Sequence, residues 1–224
     1  MKYEIINPQG GYAVLKTRLA HGEEFYSMPG TVTSLHGVNF ASQRKGGLLG
    51  GLKRSLLTGT NMYKDKLYFE SDPGEAVVAP RFPGQIAEVQ LEQDMFAHSH
   101  SFLAAENEVE IGSKSLGVRS LLANDTLFWV SLQRNPGKKV WLSFFGDVIK
   151  MDVKANERVS IEHGHFVAIN ADAKFNIRFL GIKRALLGGE GLYMVDIEGP
   201  AQVWLQTRNL EAFIQMVAAQ VPRR

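Results

Sequence analysis

The tetrapeptide Arg54-Ser55-Leu56-Leu57 recurs as Arg119-Ser120-Leu121-Leu122 and Arg184-Ala185-Leu186-Leu187, at an interval of 65 residues. A fixed interval of this length indicates an internal repeat, and the repeat decides how the rest of the chain is divided. Because the tetrapeptide recurs at residues 119 and 184, we interpret it as a structural element used once in each repeat.

Other landmarks recur at nearly the same interval. Gly74, Gly137 and Pro200 each open a similar run and stand 63 residues apart. These intervals predict a single compact domain, residues 1–224, that contains three units of about 62–73 residues. The predicted units are residues 11–83, 84–145 and 146–207.

Alternating apolar runs within the units predict an all-β protein. Phe175, Ile177 and Phe179 alternate with polar residues, as in a half-buried strand. The turns contain Asp72-Pro73-Gly74 and Asn135-Pro136-Gly137, whose proline and glycine supply a preset or a positive φ. We therefore predict double-stranded β-helix-like or β-sandwich-like units in a pseudo-threefold arrangement, followed by a C-terminal α-helix.

The C-terminal helix is predicted over residues 208–221. Its apolar residues have helical spacing, with Thr207 or Asn209 available as a cap and Pro222 as a stop. We expect it to lie on the sheets. A membrane-surface helix is disfavoured because Arg208, Arg223 and Arg224 are the only cations near it.

Composition is that of a soluble globular protein. The chain is 45% hydrophobic and 21% charged, with a net charge of +2, which is too small to indicate a nucleic-acid partner. It contains no cysteine, so disulfides and thiolate metal sites are excluded. No apolar run is long enough to span a membrane, and the first ten residues do not resemble a signal peptide, so we expect a cytoplasmic location.

Two histidine pairs, His98/His100 and His163/His165, are the candidate metal ligands. Histidines two apart on a strand point to one face, and imidazole nitrogens bind metals. The surrounding residues do not match a cupin motif, because Glu92 stands where that motif needs glycine and Asp172 is the first carboxylate after His165. We therefore expect edge-strand histidines beside turns, no cofactor, and a metal site only as a weak alternative.

A glycine and leucine insertion before the first tetrapeptide is the candidate interaction loop. It makes this part of the first unit longer than in the other two. Glycines allow close backbone approach and positive φ, but the phosphate-loop signature is absent. Both a contact loop for a subunit, a partner protein or a lipid surface and a tight loop packed under the repeat stay open. Its residues are Gly46, Gly47, Leu48, Leu49, Gly50, Gly51 and Leu52.

The remaining chemistry is sparse. No nucleophile motif occurs, so an enzyme is not predicted. Basic residues such as Arg134, Lys138 and Lys139 are interleaved with acids elsewhere on the strands, which favours a solvated surface over a phosphate-binding one. The tryptophans Trp129, Trp141 and Trp204 are predicted to be core or interface aromatics.

Several stretches resemble the mitochondrial biogenesis family named for altered inheritance of mitochondria, protein twenty-four, in its bacterial and archaeal branch. They are residues 46–54, Leu57-Thr58-Gly59, Phe102-Leu103-Ala104 and Val203-Trp204-Leu205-Gln206-Thr207. The resemblance covers about residues 11–207. It implies a β fold similar to that of the tryptophan RNA-binding attenuation protein, duplicated within one chain, and assembly into oligomers. It transfers no catalytic residue.

These observations favour a non-enzymatic β scaffold that acts through contacts with itself, as a homo-oligomer, or with another protein. An RNA-binding module is the alternative, and it rests only on analogy of fold. A metal-dependent, cupin-like enzyme that uses the histidine pairs is the second alternative. We expect no transmembrane segment, and contact with the surface of a membrane stays open.

Overall fold

A computed structural model describes residues 1–44, 63–115, 128–180 and 193–221. This part of the chain contains 19 β-strands, a short 3-10 helix and one α-helix, so the predicted all-β class with a C-terminal helix is confirmed. The three tetrapeptides lie outside the described residues.

The first strand, β1 (Lys2–Ile6), precedes the units. The strands of the first unit are β2 (Val14–Arg18), β3 (Glu24–Ser27), β4 (Val32–His36), β5 (Val38–Arg44), β6 (Tyr63–Phe69) and β7 (Glu75–Val78). Those of the second are β8 (Ile86–Gln90), β9 (Met95–His98), β10 (Phe102–Glu106), β11 (Ile111–Ser115), β12 (Phe128–Leu132) and β13 (Lys139–Ser143). Those of the third are β14 (Val148–Val153), β15 (Arg158–Glu162), β16 (Phe166–Asn170), β17 (Lys174–Phe179), β18 (Tyr193–Glu198) and β19 (Ala201–Gln206).

Strand pairing follows the same scheme in each unit. The first strand pairs with the sixth and the sixth with the third, as in β8–β13–β10, while the second pairs with the fifth and the fifth with the fourth, as in β9–β12–β11. All of these pairings are antiparallel. This recurrence supports the interpretation of an internal repeat.

Neighbouring units are joined by continuous sheets. In the first junction β10 pairs with β3, and in the second β16 pairs with β9 at equivalent positions. Parallel bridges also place Tyr12 beside Gly84 and Gly84 beside Gly146, at the starts of the three units. No pairing among the described strands joins the third unit to the first. The pseudo-threefold arrangement therefore stays a prediction, while the observed sheets join the units in their sequence order.

Two strands, β4 of the first unit and β15 of the third, lie at the edges of their sheets, in the positions that would join a further unit. Both carry exposed polar side chains. β10 and β16, which lie inside the junctions, are almost fully buried, whereas the equivalent β4 at the free edge contains the exposed residues Thr33 and Ser34. On β15, at the other free edge, Ser160 is exposed where β9 has the buried Phe96. Polar side chains on a terminal unit protect an unpaired edge from further strand addition.

The core is built across the junctions. One cluster combines first-unit residues such as Leu15 and Phe25 with Trp141 of the second unit. Another combines third-unit residues such as Val195 with Trp129 of the second unit. Trp129, Trp141 and Trp204 are all buried, which confirms their predicted core position. Each unit thus depends on its neighbour to bury its apolar face.

The C-terminal helix, α1 (Leu210–Gln220), begins and ends close to the predicted bounds. Asn209 caps it, because its side-chain oxygen accepts a hydrogen bond from the backbone N–H of Ala212 at 3.0 Å. The expectation that α1 lies on the sheets is wrong, since the residues from Ala212 to Val221 are all exposed. Within the described part of the chain, no helix has the length and apolar character needed to cross a membrane.

Candidate functional site

An apolar cavity of about 340 Å³ lies where the second and third units meet α1. It is bounded by the turn after β9, the connection from β13 to β14, the 3-10 helix (His163–His165) and the first turns of α1. Its lining consists of Phe82, His98, His100, Ser101, Ser143, Phe144, Phe145, His163, Gly164, Phe166, Gln206, Leu210, Ile214 and Gln215.

Hydrogen bonds join the segments that line the cavity. The Ser143 backbone N–H donates to the Ser101 carbonyl at 2.7 Å, which fixes the turn after β9 against β13. The Gln206 side chain joins two other segments, since its Oε1 accepts from the Phe145 N–H at 3.0 Å and its Nε2 donates to the Gly164 carbonyl at 2.9 Å. Both polar groups of Gln206 are therefore used by the backbone.

Gly164 allows the 3-10 helix to approach the cap of α1. A Cβ at this position would lie 2.3 Å from Nδ2 of Asn209, closer than real Cβ atoms come to other heavy atoms. The same Asn209 Nδ2 donates to Oε1 of Glu162 at 2.8 Å. This hydrogen bond fixes the N-terminal end of α1 at the rim of the cavity, although the rest of the helix is exposed.

Three of the four predicted histidines converge on this cavity. The rings of His98 and His163 lie 6.2 Å apart, and those of His98 and His100 lie 5.2 Å apart. His165 is directed elsewhere, because its Nδ1 is 2.8 Å from the Gln206 carbonyl and its Nε2 is 3.4 Å from Oε2 of Glu162. The expectation that both pairs lie on strands is wrong. Residues 163–165 form a 3-10 helix, in which side chains two apart point in different directions.

The converging histidines do not form a metal site in this geometry. Among the described residues, no group of three or more histidine or carboxylate side chains is placed to hold a metal ion. His98, His100 and His163 instead line the cavity as separate rings in contact with apolar neighbours. The arrangement is therefore suited to hydrogen bonding and ring contacts with an organic molecule.

Two of the imidazoles at the cavity, those of His163 and His100, favour the neutral form, because the pKa of each is lowered. Burial lowers the pKa of His163 below its ordinary value of 6.5. Burial, and then the positive charge of Arg81, lowers the pKa of His100 at the rim. His163 is only 8% exposed, and none of the described residues is a hydrogen-bond partner of its Nε2. His163 thus lines the cavity as a buried imidazole that favours the neutral form, and its Nε2 is itself enclosed.

The lowered pKa of His163 predicts a stability that depends on pH. Unfolded chains take up a proton at this imidazole near pH 6.5, whereas the folded protein does so only at lower pH. The contribution of the neutral His163 to the free energy of unfolding is therefore fully present above pH 6.5. It declines as the pH falls through 6.5 towards the pKa of the folded protein. Between about pH 7.5 and 5, we expect the urea midpoint of the wild type to fall more than that of His163→Phe.

The exposed His36 supplies a matched control for that comparison. His36→Phe makes the same substitution at a residue outside the cavity, and it should keep the pH dependence of the wild type. Equal pH slopes for the wild type and His163→Phe would show that burial of this imidazole does not contribute. His98 and Tyr193, which face the His163 ring, are unchanged in both variants.

An aromatic wall at the cavity was missed by the sequence analysis. Phe82 and Phe145 are in edge-to-face contact with ring centroids 6.2 Å apart, and Phe145 contacts Phe213 of α1 at 5.4 Å. A signal for two of them is present in the sequence, since Phe82 and Phe145 stand just before Gly84 and Gly146, which open the second and third units. Phe213 was identified only as part of the helix pattern.

The predicted interaction loop, residues 46–52, lies outside the described residues. The basic residues between β12 and β13 and at the start of β13 are engaged by neighbours. Lys138 pairs with Glu108 at 3.1 Å, Lys139 with Glu88 at 3.0 Å, and Arg134 Nε donates to the Glu92 carbonyl at 2.9 Å. Such pairing reduces the positive field available to a phosphate backbone.

Comparison with known proteins gives the chain its family. It matches the family described as mitochondrial biogenesis AIM24 over residues 3–208. It is 23% identical to an uncharacterized protein, M6_Spy0233, of Streptococcus pyogenes serotype M6, with 94% of this chain and 88% of that protein covered. Its fold is similar to the crystal structure of Streptococcus pyogenes protein SPYM3_0169, with a TM-score of 0.81, 21% identity, and 98% and 99% of the two chains covered.

The family match covers the region in which the sequence resemblance was identified and extends beyond it at the N-terminal side. The resemblance predicted from the glycine and apolar patterns is thus confirmed. The likeness to the solved structure concerns the fold alone, because the two sequences share only 21% of their residues. The chain belongs to the mitochondrial biogenesis AIM24 family.

Proposed function

We propose that this protein is a non-enzymatic β scaffold that acts through protein contacts, and that α1 joins two copies of the chain. The observation that carries the proposal is the exposed apolar side of α1. Phe213, Ile214, Met216 and Val217 of α1, together with Val221 directly after it, are 45–60% exposed. An isolated helix of 11 residues is marginal in water, and most helices in proteins are stabilised by packing of their apolar side.

The body of the protein covers only the beginning of this side. Leu210 and Ile214 reach the rim of the cavity, and Phe213 contacts Phe145. With 3.6 residues per turn, Val217 and Val221 continue the same stripe, and they remain exposed. The helix therefore presents an apolar surface that a partner would bury.

The charge of the helix favours a second copy over a lipid surface. Between Leu210 and Val221 the sequence contains no lysine or arginine, and Glu211 is the one charged residue. An anionic membrane surface attracts helices with a cationic polar face, which this helix lacks. Antiparallel pairing of two copies would bury both stripes while placing the two Glu211 residues at opposite ends.

The size of the stripe indicates a weak dimer. Five half-exposed side chains on a short helix offer less than the ~800 Å² per partner of a standard interface. We therefore expect dissociation in the micromolar range or weaker. The polar free edges of β4 and β15 disfavour assembly by strand addition at the junction edges, which leaves the helix as the better contact surface.

No described feature favours the two alternative functions. The paired basic residues do not form a phosphate-binding stripe, and the histidines do not form a metal centre among the described residues. Neither similar protein is named for a catalytic activity. The cytoplasmic location stays a prediction.

Sedimentation velocity from about 1 to 200 µM tests the proposal. We expect a concentration-dependent dimer for the wild type, and a monomer throughout this range for the double variant Val217→Glu/Val221→Glu, because four carboxylates would face one another at the contact. Ala219→Glu is the matched control. It adds a carboxylate on the opposite side of the same helix and should leave the dimer unchanged.

A wild type that is monomeric at 200 µM, or a dimer that survives the double variant, would contradict the helix contact. Co-sedimentation with vesicles of neutral and of anionic phospholipid provides a further check. Vesicle binding that is lost in the double variant would assign the stripe to a membrane surface and overturn the proposal. Circular dichroism establishes that each variant retains its strands and helix.

A further inference from the structure

β1 covers a surface of the second unit, although it lies outside the repeat. It pairs antiparallel with the outer edge of β2, where Tyr3 lies opposite Thr17. From this edge the Tyr3 ring contacts Trp141 edge to face, with ring centroids 5.1 Å apart. Its hydroxyl donates to Oε2 of Glu88 and accepts from Nζ of Lys139, both at 2.5 Å. β1 therefore joins the first unit to a face formed by β8 and β13.

The equivalent face of the third unit has no such cover among the described residues. The bridges that align the starts of the units make β8 equivalent to β2, and β14 equivalent to β8. Trp204 lies opposite Lys150 on β19 and β14, as Trp141 lies opposite Glu88 on β13 and β8. A groove of about 520 Å³ takes the place that Tyr3 has at the first junction. It is bordered by residues 87–90 of β8 and, on the third unit, by Val148, Lys150, Gln202 and Trp204.

The edge of β8 that borders this groove is open to a further strand. β8 pairs with β13 on one side, and no described strand pairs with its other side. Leu91 directs its backbone N–H to the side of β13, where it donates to the Lys138 carbonyl at 3.0 Å. Because alternate residues of an antiparallel strand direct these groups to opposite sides, those of Glu88 and Gln90 point away from β13. They are the positions at which an added strand forms its hydrogen bonds.

The third-unit face of the groove suits an aromatic side chain. Trp204 lines it, and the ammonium group of Lys150 lies 5.4 Å from the centroid of the Trp204 ring. At the first junction the ammonium group of Lys139 lies in the same way over the Tyr3 ring, at 4.7 Å. A ring bound in the groove would therefore have an indole on one side and a cation beside it, the two contacts that Tyr3 has.

Charge distinguishes the strand that fits β8 from β1 itself. In the first unit Glu4 lies opposite Lys16, which is a favourable pair of opposite charges. β8 has Glu88 at the position of Lys16, and Glu92 also lines the groove. A basic residue in the place of Glu4 therefore fits this edge, whereas β1 of a second copy would set Glu4 against Glu88.

We propose that this groove binds an extended segment of a partner protein, which adds to β8 as an antiparallel strand. An aromatic residue of the segment lies opposite Val89 and packs on Trp204, and the next residue is basic and lies opposite Glu88. Backbone hydrogen bonds supply the affinity, and the two side chains supply the specificity. The inference goes beyond the proposed helix contact, because no residue of α1 lines the groove.

Fluorescence anisotropy with a labelled synthetic peptide tests the groove. The probe has the sequence of residues 1–7 with Glu4→Lys. We expect saturable binding of one peptide per chain, with a Kd below about 0.5 mM. Adding Tyr3→Ala to the peptide should weaken binding about tenfold. Retaining Glu4 should weaken it by about 2- to 5-fold, because like charges would then lie opposite each other.

Gln90→Pro tests whether the edge of β8 is used. Proline removes the N–H that points away from β13, and an edge strand tolerates it on that side. The variant should weaken peptide binding at least about tenfold. Gln90→Thr is the matched control, since it changes the same side chain and retains the N–H, and it should bind as the wild type does. Val217→Glu/Val221→Glu should also bind normally, which separates this inference from the helix contact.

Disulfide capture locates the peptide. The chain contains no cysteine, so a single one can be placed at will. Lys2 of β1 lies opposite Arg18, and the equivalent residue on β8 is Gln90. A peptide with Lys2→Cys should therefore form a mixed disulfide with Gln90→Cys, because directly opposite residues have the Cα separation that a disulfide needs. Arg18→Cys should not capture it, since β1 occupies that edge.

Four results would overturn the inference. They are no saturable binding of the probe, equal binding by Gln90→Pro and Gln90→Thr, binding that Tyr3→Ala in the peptide leaves unchanged, and capture at Arg18→Cys alone, which would show exchange with β1. If Gln90→Pro does not fold, the comparison of peptides and the capture at Gln90→Cys decide. A dimer that Gln90→Pro dissociates and Gln90→Thr retains would assign the groove to a second copy, which also contradicts the inference.

Discussion

Gly84→Ala is expected to destabilise the protein by about 4 kcal/mol or more, which would lower Tm by about 8–16 °C for a domain of this size. Gly84 lies between Tyr12 and Gly146, where the starts of the three units come together. A Cβ there would lie 1.8 Å from the Phe144 carbonyl oxygen and 2.7 Å from the backbone nitrogen of Gly146. Because these are backbone atoms inside a junction, they cannot rotate away.

Gly11→Ala is the matched control for Gly84→Ala. Gly11 opens the first unit, but a Cβ at this position would have no heavy atom within 4 Å. The substitution should therefore change the free energy of unfolding by no more than about 0.5 kcal/mol. Calorimetric melting of both variants measures the difference, and equal melting temperatures would show that close backbone approach does not determine the need for glycine at the junction.

Trp141→Ala is expected to cost about 3–5 kcal/mol of unfolding free energy, near the upper end of that range. Trp141 lies on β13, is fully buried, and belongs to a cluster that consists mainly of first-unit residues. Its removal leaves a cavity at the first junction, where β10 and β3 are held in register and cannot collapse into the space. Both units should be weakened together, since each uses the other to bury its apolar face.

Trp141→Phe should cost less than half as much as Trp141→Ala. The phenyl ring keeps much of the packing, and the indole N–H that it removes has no hydrogen-bond partner among the described residues. Tyr12→Ala is the control, because Tyr12 is 76% exposed and its loss should stay within about 0.5 kcal/mol. Urea unfolding gives the three values. If Trp141→Ala lowered the free energy of unfolding by no more than Tyr12→Ala does, Trp141 would not stabilise the junction and the prediction would be wrong.

Turns and the helix cap were predicted well from the sequence, because both depend on residues that are close in the chain. Gly74 and Gly137 have positive φ, as the turn chemistry predicts, and Asn209 caps α1. Alternation of apolar and polar residues predicts burial less well on an edge strand. On β17, Phe175 and Ile177 are partly buried, whereas Phe179 at the end of the strand is 51% exposed. An edge strand lacks a neighbour on one side, so a pattern typical of a half-buried strand does not ensure burial.

The candidate site could be predicted only in part. The histidine pairs were identified as unusual from their spacing, and His98, His100 and His163 do meet at one cavity. The fourth histidine, His165, points away from this cavity because residues 163–165 form a 3-10 helix. The strand pattern in the sequence does not indicate that helix. The aromatic wall comes from residues far apart in the chain, and the sequence does not say that Phe82 and Phe145 face each other.

The all-β class, the approximate bounds of the C-terminal helix and the family follow from the sequence alone, whereas the choice of Asn209 over Thr207 as the helix cap follows from the structure. The first three depend on periodicity, turn chemistry and local hydrogen bonds, which act between residues close in the chain. Three features follow only from the folded chain: which units share a core, why position 84 needs glycine, and that His163 lines an apolar cavity. These depend on contacts between units, where packing and loss of hydration are set by residues that no local pattern connects.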